Sequence, residues 1–357
     1  MKKERINAFL RALEKQGAEA AVLAKPSNVR WLSGFTGEGL LVVVAGAASV
    51  VTDFRYVEAA QREAPGCAVR SISGGVTHEA IAAELLKAAG VKTAAFEDDV
   101  LTVRQMQRLE QAAEGIHFAP AKTRPEALRA VKDQEEIDAI ERACAITCAA
   151  FERILAVIRP GVTERAVAFA LENEMRALGA EGTAFPTIVA AGANGSLPHA
   201  VPGDTAIASG MLVTMDFGAR VDGYCADLTR TVAVGQPDAL QRRVYDAVLE
   251  AHLRAMDAIA PGACGRDVDA IARAYFKTCG WETEFGHSLG HGVGLDIHEE
   301  PRLSMRSTDV LEAGNVVTDE PGIYLPGQCG CRIEDSVLVT RDGCRSLTPA
   351  AKELIIL

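Results

Sequence analysis

Five of the seven histidines fall between residues 199 and 298, and three of them, His287, His291 and His298, share the glycine-rich segment 286–301. Glycines beside a histidine let the backbone pass close to a metal or a substrate. The pair His298-Glu299 is followed at 302 by arginine, so the His-Glu-x-x-His pattern of a zinc-binding helix fails. Two acidic pairs flank this segment in sequence. Residues 215–231 read MDFGARVDGYCADLTRT, with Asp222-Gly223 as a hairpin-turn signal. Opposed residues of a hairpin have a constant index sum; Asp216 and Asp227 sum to 443, which centres the turn at 221.5, against 222.5 for a two-residue Asp-Gly turn. The spacing predicts cross-strand neighbours to within one residue, with a bulge taking up the difference and Cβ atoms roughly 5 Å apart. The second pair, Glu320 and Glu334, sums to 654 and centres on Gly327 inside Pro326-Gly327-Gln328. Both pairs sit beside apolar strand residues, where two like charges repel unless a proton or a cation lies between them. Two carboxylate pairs with one imidazole form a hard oxygen-rich donor set. It suits two divalent ions such as Mn²⁺, Co²⁺, Zn²⁺ or Fe²⁺. Two such ions roughly 3.5–4 Å apart can share a water and lower its pKa. Cys329 and Cys331 are read as small core residues, because thiolate is a soft donor and Cys-Gly-Cys is short for joint ligation.

The elements that must position these groups follow from periodicity. Ile6, Phe9, Leu10 and Leu13 form the stripe of an amphipathic helix over 4–16. Strands are expected at 20–23, 40–44, 48–52 and 91–96, and helices at 55–64 and 77–89, an alternation that argues an α/β layer domain. The stretch 119–129, with Pro120 and Pro125, closes this unit. A helix over 135–158 stops at Arg159-Pro160-Gly161, another runs over 163–178, strands are expected at 212–216 and 226–232, and helices at 238–259 and 266–278. The division reads as 1–121 for the first domain, 122–134 as linker and 135–357 for the second. No repeat or low-complexity tract interrupts it.

At 357 residues the chain is too long for one ordinary core, so two domains are the expectation. Its 48% hydrophobic and 24% charged residues exclude wholesale disorder. A net charge of −11 excludes nucleic-acid binding by phosphate neutralisation. The longest apolar run, 39–51, is too short to span a bilayer, and the N-terminus lacks the features of a signal peptide. Nine scattered cysteines without Cys-x-x-Cys fit a reducing compartment, so a cytoplasmic protein is expected.

The ordered set Asp216, Asp227, His291, Glu320 and Glu334 resembles the pita-bread-fold dinuclear metallopeptidases: methionine aminopeptidase, aminopeptidase P (Xaa-Pro aminopeptidase) and prolidase (Xaa-Pro dipeptidase). The resemblance covers nearly the whole chain. Its motifs are Leu197-Pro198-His199, the paired-aspartate hairpin, residues 287–294, Glu320-Pro321-Gly322-Ile323-Tyr324 and Arg332-Ile333-Glu334-Asp335. Residues 28–37 and 52–56 resemble the creatinase-type N-terminal domain, which simple methionine aminopeptidases lack. The implied fold is α/β two-domain, a creatinase-like α/β domain followed by a pita-bread α+β catalytic domain. The implied metals are two divalent ions, Mn²⁺ first, on the five ligands, with Asp216 and Glu334 bridging. The implied reaction is hydrolysis of the N-terminal Xaa-Pro bond of short peptides by a hydroxide bridging the two metals. Glu320 would pass a proton to the proline nitrogen, His199 and His298 would donate to the oxyanion and the substrate amide, and His287 and Arg332 would support ligands or substrate. The proline leaving nitrogen carries no N–H, so it must be protonated. Departures are Asp319, where an apolar residue is usual, and Cys329-Gly330-Cys331 in place of Gly-Gly-Val.

Within this family the segment 34–39 lacks a histidine and looks more like aminopeptidase P. A dipeptidase would need a cation for the proline carboxylate, and Arg302 is the candidate. A catalytically inactive binding protein of the same fold is disfavoured by the intact ligand set, and hydrolysis of another small amide stays open. The resemblance also implies a homodimer, with neither nucleic acid nor membrane as partner.

Overall fold

The computed structural model describes residues 2–122 and 124–357. The chain divides into two compact units, one ending at Arg129 and one spanning Ala130–Leu357. The first unit runs α1 (Lys2–Glu14), β1 (Ala20–Leu23), α2 (Pro26–Ser33), β2 (Leu40–Val44), β3 (Ala47–Thr52), α3 (Val57–Glu63), β4 (Ala68–Ser71), α4 (His78–Ala88), β5 (Thr93–Phe96), α5 (Val103–Ala112), β6 (His117–Pro120) and α6 (Pro125–Arg129). Its six strands form one mixed sheet in the order β4-β3-β2-β1-β5-β6. The β1–β2 and β2–β3 pairs are antiparallel, and the β1–β5, β3–β4 and β5–β6 pairs are parallel. Val22, Val42, Val51 and Leu86 pack in its core. Buried Arg129 ties α6 to α2 by donating to Ser27 Oγ and Asn28 Oδ1.

The second unit begins with a strap. Lys132 donates its N–H to Gly314 O, and its buried ammonium lies 3.2 Å from Glu299 Oε2. The expected linker 122–134 thus contributes α6 to the first unit and its last residues to the second. Next come α7 (Gln134–Ile154), α8 (Glu164–Ala177), β7 (Gly182–Thr183), β8 (Ile188–Ala191), β9 (Met211–Phe217), β10 (Ala219–Val221), β11 (Tyr224–Cys225) and β12 (Leu228–Val234). They are followed by α9 (Ala239–Ala258), α10 (Gly265–Thr278), β13 (Gly290–Gly292), β14 (Glu299–Leu303), β15 (Val316–Asp319), β16 (Gly322–Leu325), β17 (Cys329–Arg332), β18 (Asp335–Val339) and β19 (Cys344–Ser346). Capping boxes at Asp133/Glu136 and Asp238/Gln241 start α7 and α9 by satisfying orphan N–H groups of the first turn.

Two layers result, each a sheet backed by a helix pair. Phe151, Leu171 and Met175 of α7 and α8 pack on Val213, Met215 and Val232 of the β12-β9-β8 sheet. Val248, Ala251 and Phe276 of α9 and α10 pack on Val317, Ile333 and Val337. Cys329 and Cys331 lie in this second core, the small-residue role read from their sequence. On β9, Asp216 alternates with Val213, Met215 and Phe217 and so faces away from α7 and α8.

The two acidic hairpins have different registers. In the second, Asp319 pairs with Asp335 in β15–β18 and Gly322 with Arg332 in β16–β17, both sums being 654. The ladder breaks at Pro321, which has no N–H to give, and Glu320 and Glu334 flank that break on opposite strands. In the first hairpin every pair sums to 445, with Val221 opposite Tyr224 around a two-residue turn in which Asp222 (φ 48°) and Gly223 (φ 77°) both take positive φ. Asp216 therefore opposes Thr229, not Asp227. The turn geometry sets the register, so no bulge brings the aspartates level. Asp227 lies two residues further along, on the same face, a diagonal neighbour at the longer separation of roughly 7–8 Å. The break here is Gly218, where a Cβ would come within 1.8 Å of Ala226 O.

Candidate metal centre

The five acidic and imidazole groups line one cavity, and three of them cluster closely. Asp227, His291 and Glu334 each offer a donor atom within 4.8 Å of the others, and all three are buried. His291 Nε2 is 3.7 Å from Asp227 Oδ2 and 3.4 Å from Glu320 Oε1. Its Nδ1 lies 3.1 Å from Gly292 O, which fits a proton on Nδ1 and leaves Nε2 free as a lone-pair donor. Burial, then the neighbouring His298, holds the His291 pKa down at about 3, so the ring is neutral. Asp216 joins through Arg332, whose Nη2 donates to Oδ2 at 2.6 Å, while its Oδ1 is buried without a hydrogen-bond partner.

Polar side chains from the strands orient these groups. Thr229, opposite Asp216, donates to Glu334 Oε2 at 2.7 Å and accepts from Arg332 Nε at 3.0 Å. Thr318 lies 3.3 Å from Glu320 Oε1. Tyr324 OH meets both Arg332 Nη1 and His287 Nε2 at 2.8 Å. Tyr324, Thr229 and Thr318 were not singled out from the sequence. The Thr229 contacts join separate sheets and leave no periodic trace.

Burial, then Glu334 and Asp216, pushes the Asp227 carboxyl far above the usual range; burial, then Glu320 and Asp216, does the same to Glu334. Glu320 is raised to about 8, by burial first, with Arg332 opposing and Asp216 adding. Such mutual repulsion in a dry site is the signature of missing positive charge. The unpartnered Asp216 oxygen and the neutral His291 Nε2 are open donors, and the set is hard oxygen with one nitrogen. These residues fit divalent cations.

All ten residues singled out from the sequence line one cavity of about 500 Å³. Besides the five donors, His287, His199, His298, Arg302 and Arg332 open onto it. The rings of His298 and His291 stand edge to face at 4.4 Å. His199 and His298 are solvent-exposed, whereas Arg332 is buried. Arg302 keeps 42% of its side chain exposed, its nearest acid being Glu300 at 3.9 Å. Phe185, Ile188, Pro198, Val201 and Ile297 supply apolar wall.

Residues 138–341 match the model of metallopeptidase family M24, and residues 5–131 that of the creatinase/prolidase N-terminal domain. The chain is similar to a solved Xaa-Pro dipeptidase from Bacillus anthracis, with 41% identity, a TM-score of 0.97 and full coverage of both chains. It is 37% identical to the Xaa-Pro dipeptidase of Pyrococcus furiosus over 99% of this chain and 100% of the relative. An X-Pro aminopeptidase structure from Thermotoga maritima superposes with a TM-score of 0.90 at 34% identity, covering 97% of this chain and 100% of the other. Buried carboxylates short of positive charge are what a family of metal-dependent hydrolases requires. The chain belongs to metallopeptidase family M24, a hydrolase family implying divalent metal ions, and carries the family's creatinase/prolidase N-terminal domain.

Proposed function

We propose that the protein is an exopeptidase that hydrolyses the Xaa-Pro bond at the N-terminus of short peptides. Asp216, Asp227, His291, Glu320 and Glu334 would hold two divalent ions, with Mn²⁺ favoured by the hard donor set. When bound, these ions supply Lewis-acid polarisation of the scissile carbonyl and acidify water. Glu320 accepts the proton of the attacking water and returns it to the proline nitrogen, which has no proton of its own. His199 and His298 donate to the developing oxyanion and the substrate amide. Arg332 holds Asp216, and Tyr324 joins Arg332 to His287. The observation that carries the reading is the convergence of these groups on one cavity whose remaining wall is mostly apolar, as a proline ring would require.

A second reading, a dipeptidase, is favoured by Arg302, a half-exposed cation on the same cavity that could take the proline carboxylate. Mass spectrometry of Ala-Pro and Ala-Pro-Ala after incubation with Mn²⁺-loaded protein tests both. Alanine released from the tripeptide supports the aminopeptidase reading. Cleavage of the dipeptide alone supports the dipeptidase, and Arg302→Ala should then raise KM for Ala-Pro with kcat little changed. No cleavage of either sinks both readings. A homodimer is proposed from the family resemblance and is checked by light scattering. The cytoplasmic reading is supported by nine free cysteines. Among the described residues no helix is long and apolar enough to cross a membrane.

A further inference from the structure

Asp319 is the acidic residue that ends the apolar run of β15, and directly opposite it in the ladder stands Asp335. Both are fully buried. Two carboxylates opposed in a dry sheet push the strands apart unless something answers them. Asp335 is answered by Arg230 Nη2 at 2.8 Å and Lys352 Nζ at 2.7 Å. Asp319 is answered by His252 of α9. That imidazole is itself fully buried, with Nδ1 3.1 Å from Asp319 Oδ2 and Nε2 3.8 Å from Asp335 Oδ2. Nδ1 also lies 3.2 Å from the Asp319 carbonyl oxygen. Asp319 Oδ1 and Oδ2, Asp335 Oδ2 and His252 Nε2 make no well-formed hydrogen bond, so the ring links the two acids by its place between them rather than by hydrogen bonding. Asp319 immediately precedes Glu320, and Asp335 immediately follows Glu334. α9 is anchored in the core through Val248, Ala251 and Ala255, so the bridge has a rigid base.

We propose that His252 is a positioning residue: by bridging Asp319 and Asp335 from behind the sheet, it holds the register at which Glu320 and Glu334 face one another, and so sets the affinity of the centre for divalent cations. The inference rests on the reading that Glu320 and Glu334 hold metal. Without the ring, Asp319 is left buried and unanswered, and the strands relieve it by parting at the carboxylate pair. Removing both partners costs far less than removing one, because no uncompensated acid remains.

The experiment is calorimetric titration of metal-free protein with Mn²⁺, beside the thermal midpoint of the same metal-free samples. His252→Leu should weaken Mn²⁺ binding about 10–100-fold, the usual cost of losing a group that orients a ligand. The double variant His252→Leu with Asp319→Val should recover most of that loss, and His252→Asn, which keeps a donor, should fall between. A purely structural role would lower the midpoint of His252→Leu without moving the affinity, and that result overturns the proposal. So does a double variant that binds no better than His252→Leu. If His252→Leu does not fold, the asparagine and double variants carry the same comparison. Glu334→Ala separates the two readings. If it binds Mn²⁺ like wild type, the metal reading falls and takes this proposal with it. If it loses Mn²⁺ while His252→Leu keeps wild-type affinity, only the role of His252 falls.

Discussion

The hairpin of Asp216 and Asp227 and the hairpin of Glu320 and Glu334 both break their ladders at the acids, one at Gly218 and the other at Pro321. Their carboxylates are arranged differently, diagonal in the first and opposed in the second. Yet each hairpin supplies one deep and one shallow group. The side chains of Asp227 and Glu334 are 6% and about 1% exposed, against 14% for Asp216 and 17% for Glu320. The deep pair belongs with His291 to the tight donor cluster. The shallow pair touches other side chains that line the cavity: Asp216 is gripped by Arg332, and Glu320 stands 4.0 Å from His287. Depth, rather than pairing geometry, separates the tightly clustered carboxylates from those nearer solvent.

Breaking the deep pair should have the largest effect. Glu334→Ala and Asp227→Ala are expected to lose Mn²⁺ binding in calorimetry and to reduce Ala-Pro or Ala-Pro-Ala hydrolysis to background. In metal-free protein the same changes remove one member of a repelling buried set, so the thermal midpoint should rise, by about 2–4 °C for each kcal/mol relieved. A variant that keeps both metal and activity contradicts the division.

Breaking the shallow pair should separate chemistry from binding. Glu320→Gln keeps an oxygen donor but cannot carry the proton, so kcat should fall about 10²–10⁴-fold. Mn²⁺ affinity should fall less than in Glu334→Ala. Single-turnover rates and titration read the two effects separately, and equal loss of metal in both variants would erase the distinction.

Thr229 links the hairpins, since it opposes Asp216 yet donates to Glu334 and accepts from Arg332. Thr229→Val keeps the shape and removes the hydroxyl. The expected cost is about 10–100-fold in Mn²⁺ affinity, with the β9–β12 ladder intact by hydrogen exchange. Wild-type affinity would mean that the two hairpins act independently.

Much of this arrangement is legible in the chain, because a hairpin obeys two simple constraints, a constant index sum and a two-residue side-chain period. Glu320 and Glu334 follow from the position of Gly327 alone. Asp216 and Asp227 share a face as expected, but they are diagonal, because the Asp222-Gly223 turn fixes the register and Gly218 lets the strand pass close to Ala226 instead of bulging. Helices α7 to α9 are marked by N-caps and apolar stripes, and α10 by its stripe alone. The short strands β4 and β6 are half-exposed edges with weak alternation, and they escape such a reading. Tyr324 and His252 escape for another reason. Tyr324 meets Arg332 diagonally across the β16–β17 hairpin but reaches His287 only through packing, and His252 of α9 meets Asp319 of β15 only through packing, which no local pattern announces.

The smallest expected effect distinguishes the two hairpins by their glycines. Gly327 has φ 73° and open space around its Cβ position, so Gly327→Ala strains only the backbone of an exposed turn. It should cost about 1 kcal/mol of stability and leave Mn²⁺ affinity and kcat unchanged, because the register below the turn is also held by β15 and β18. Gly218→Ala places a methyl against Ala226 O, one residue from Asp227, and cannot be absorbed by a flexible side chain. It should cost about 1–3 kcal/mol and also weaken Mn²⁺ binding, since Ala226 must move and carries Asp227 with it. Denaturant midpoints measured beside metal titrations give both quantities. If Gly327→Ala perturbs the metal as much as Gly218→Ala, the turn itself sets the carboxylate spacing, and the break in the ladder next to each acid is not what positions it.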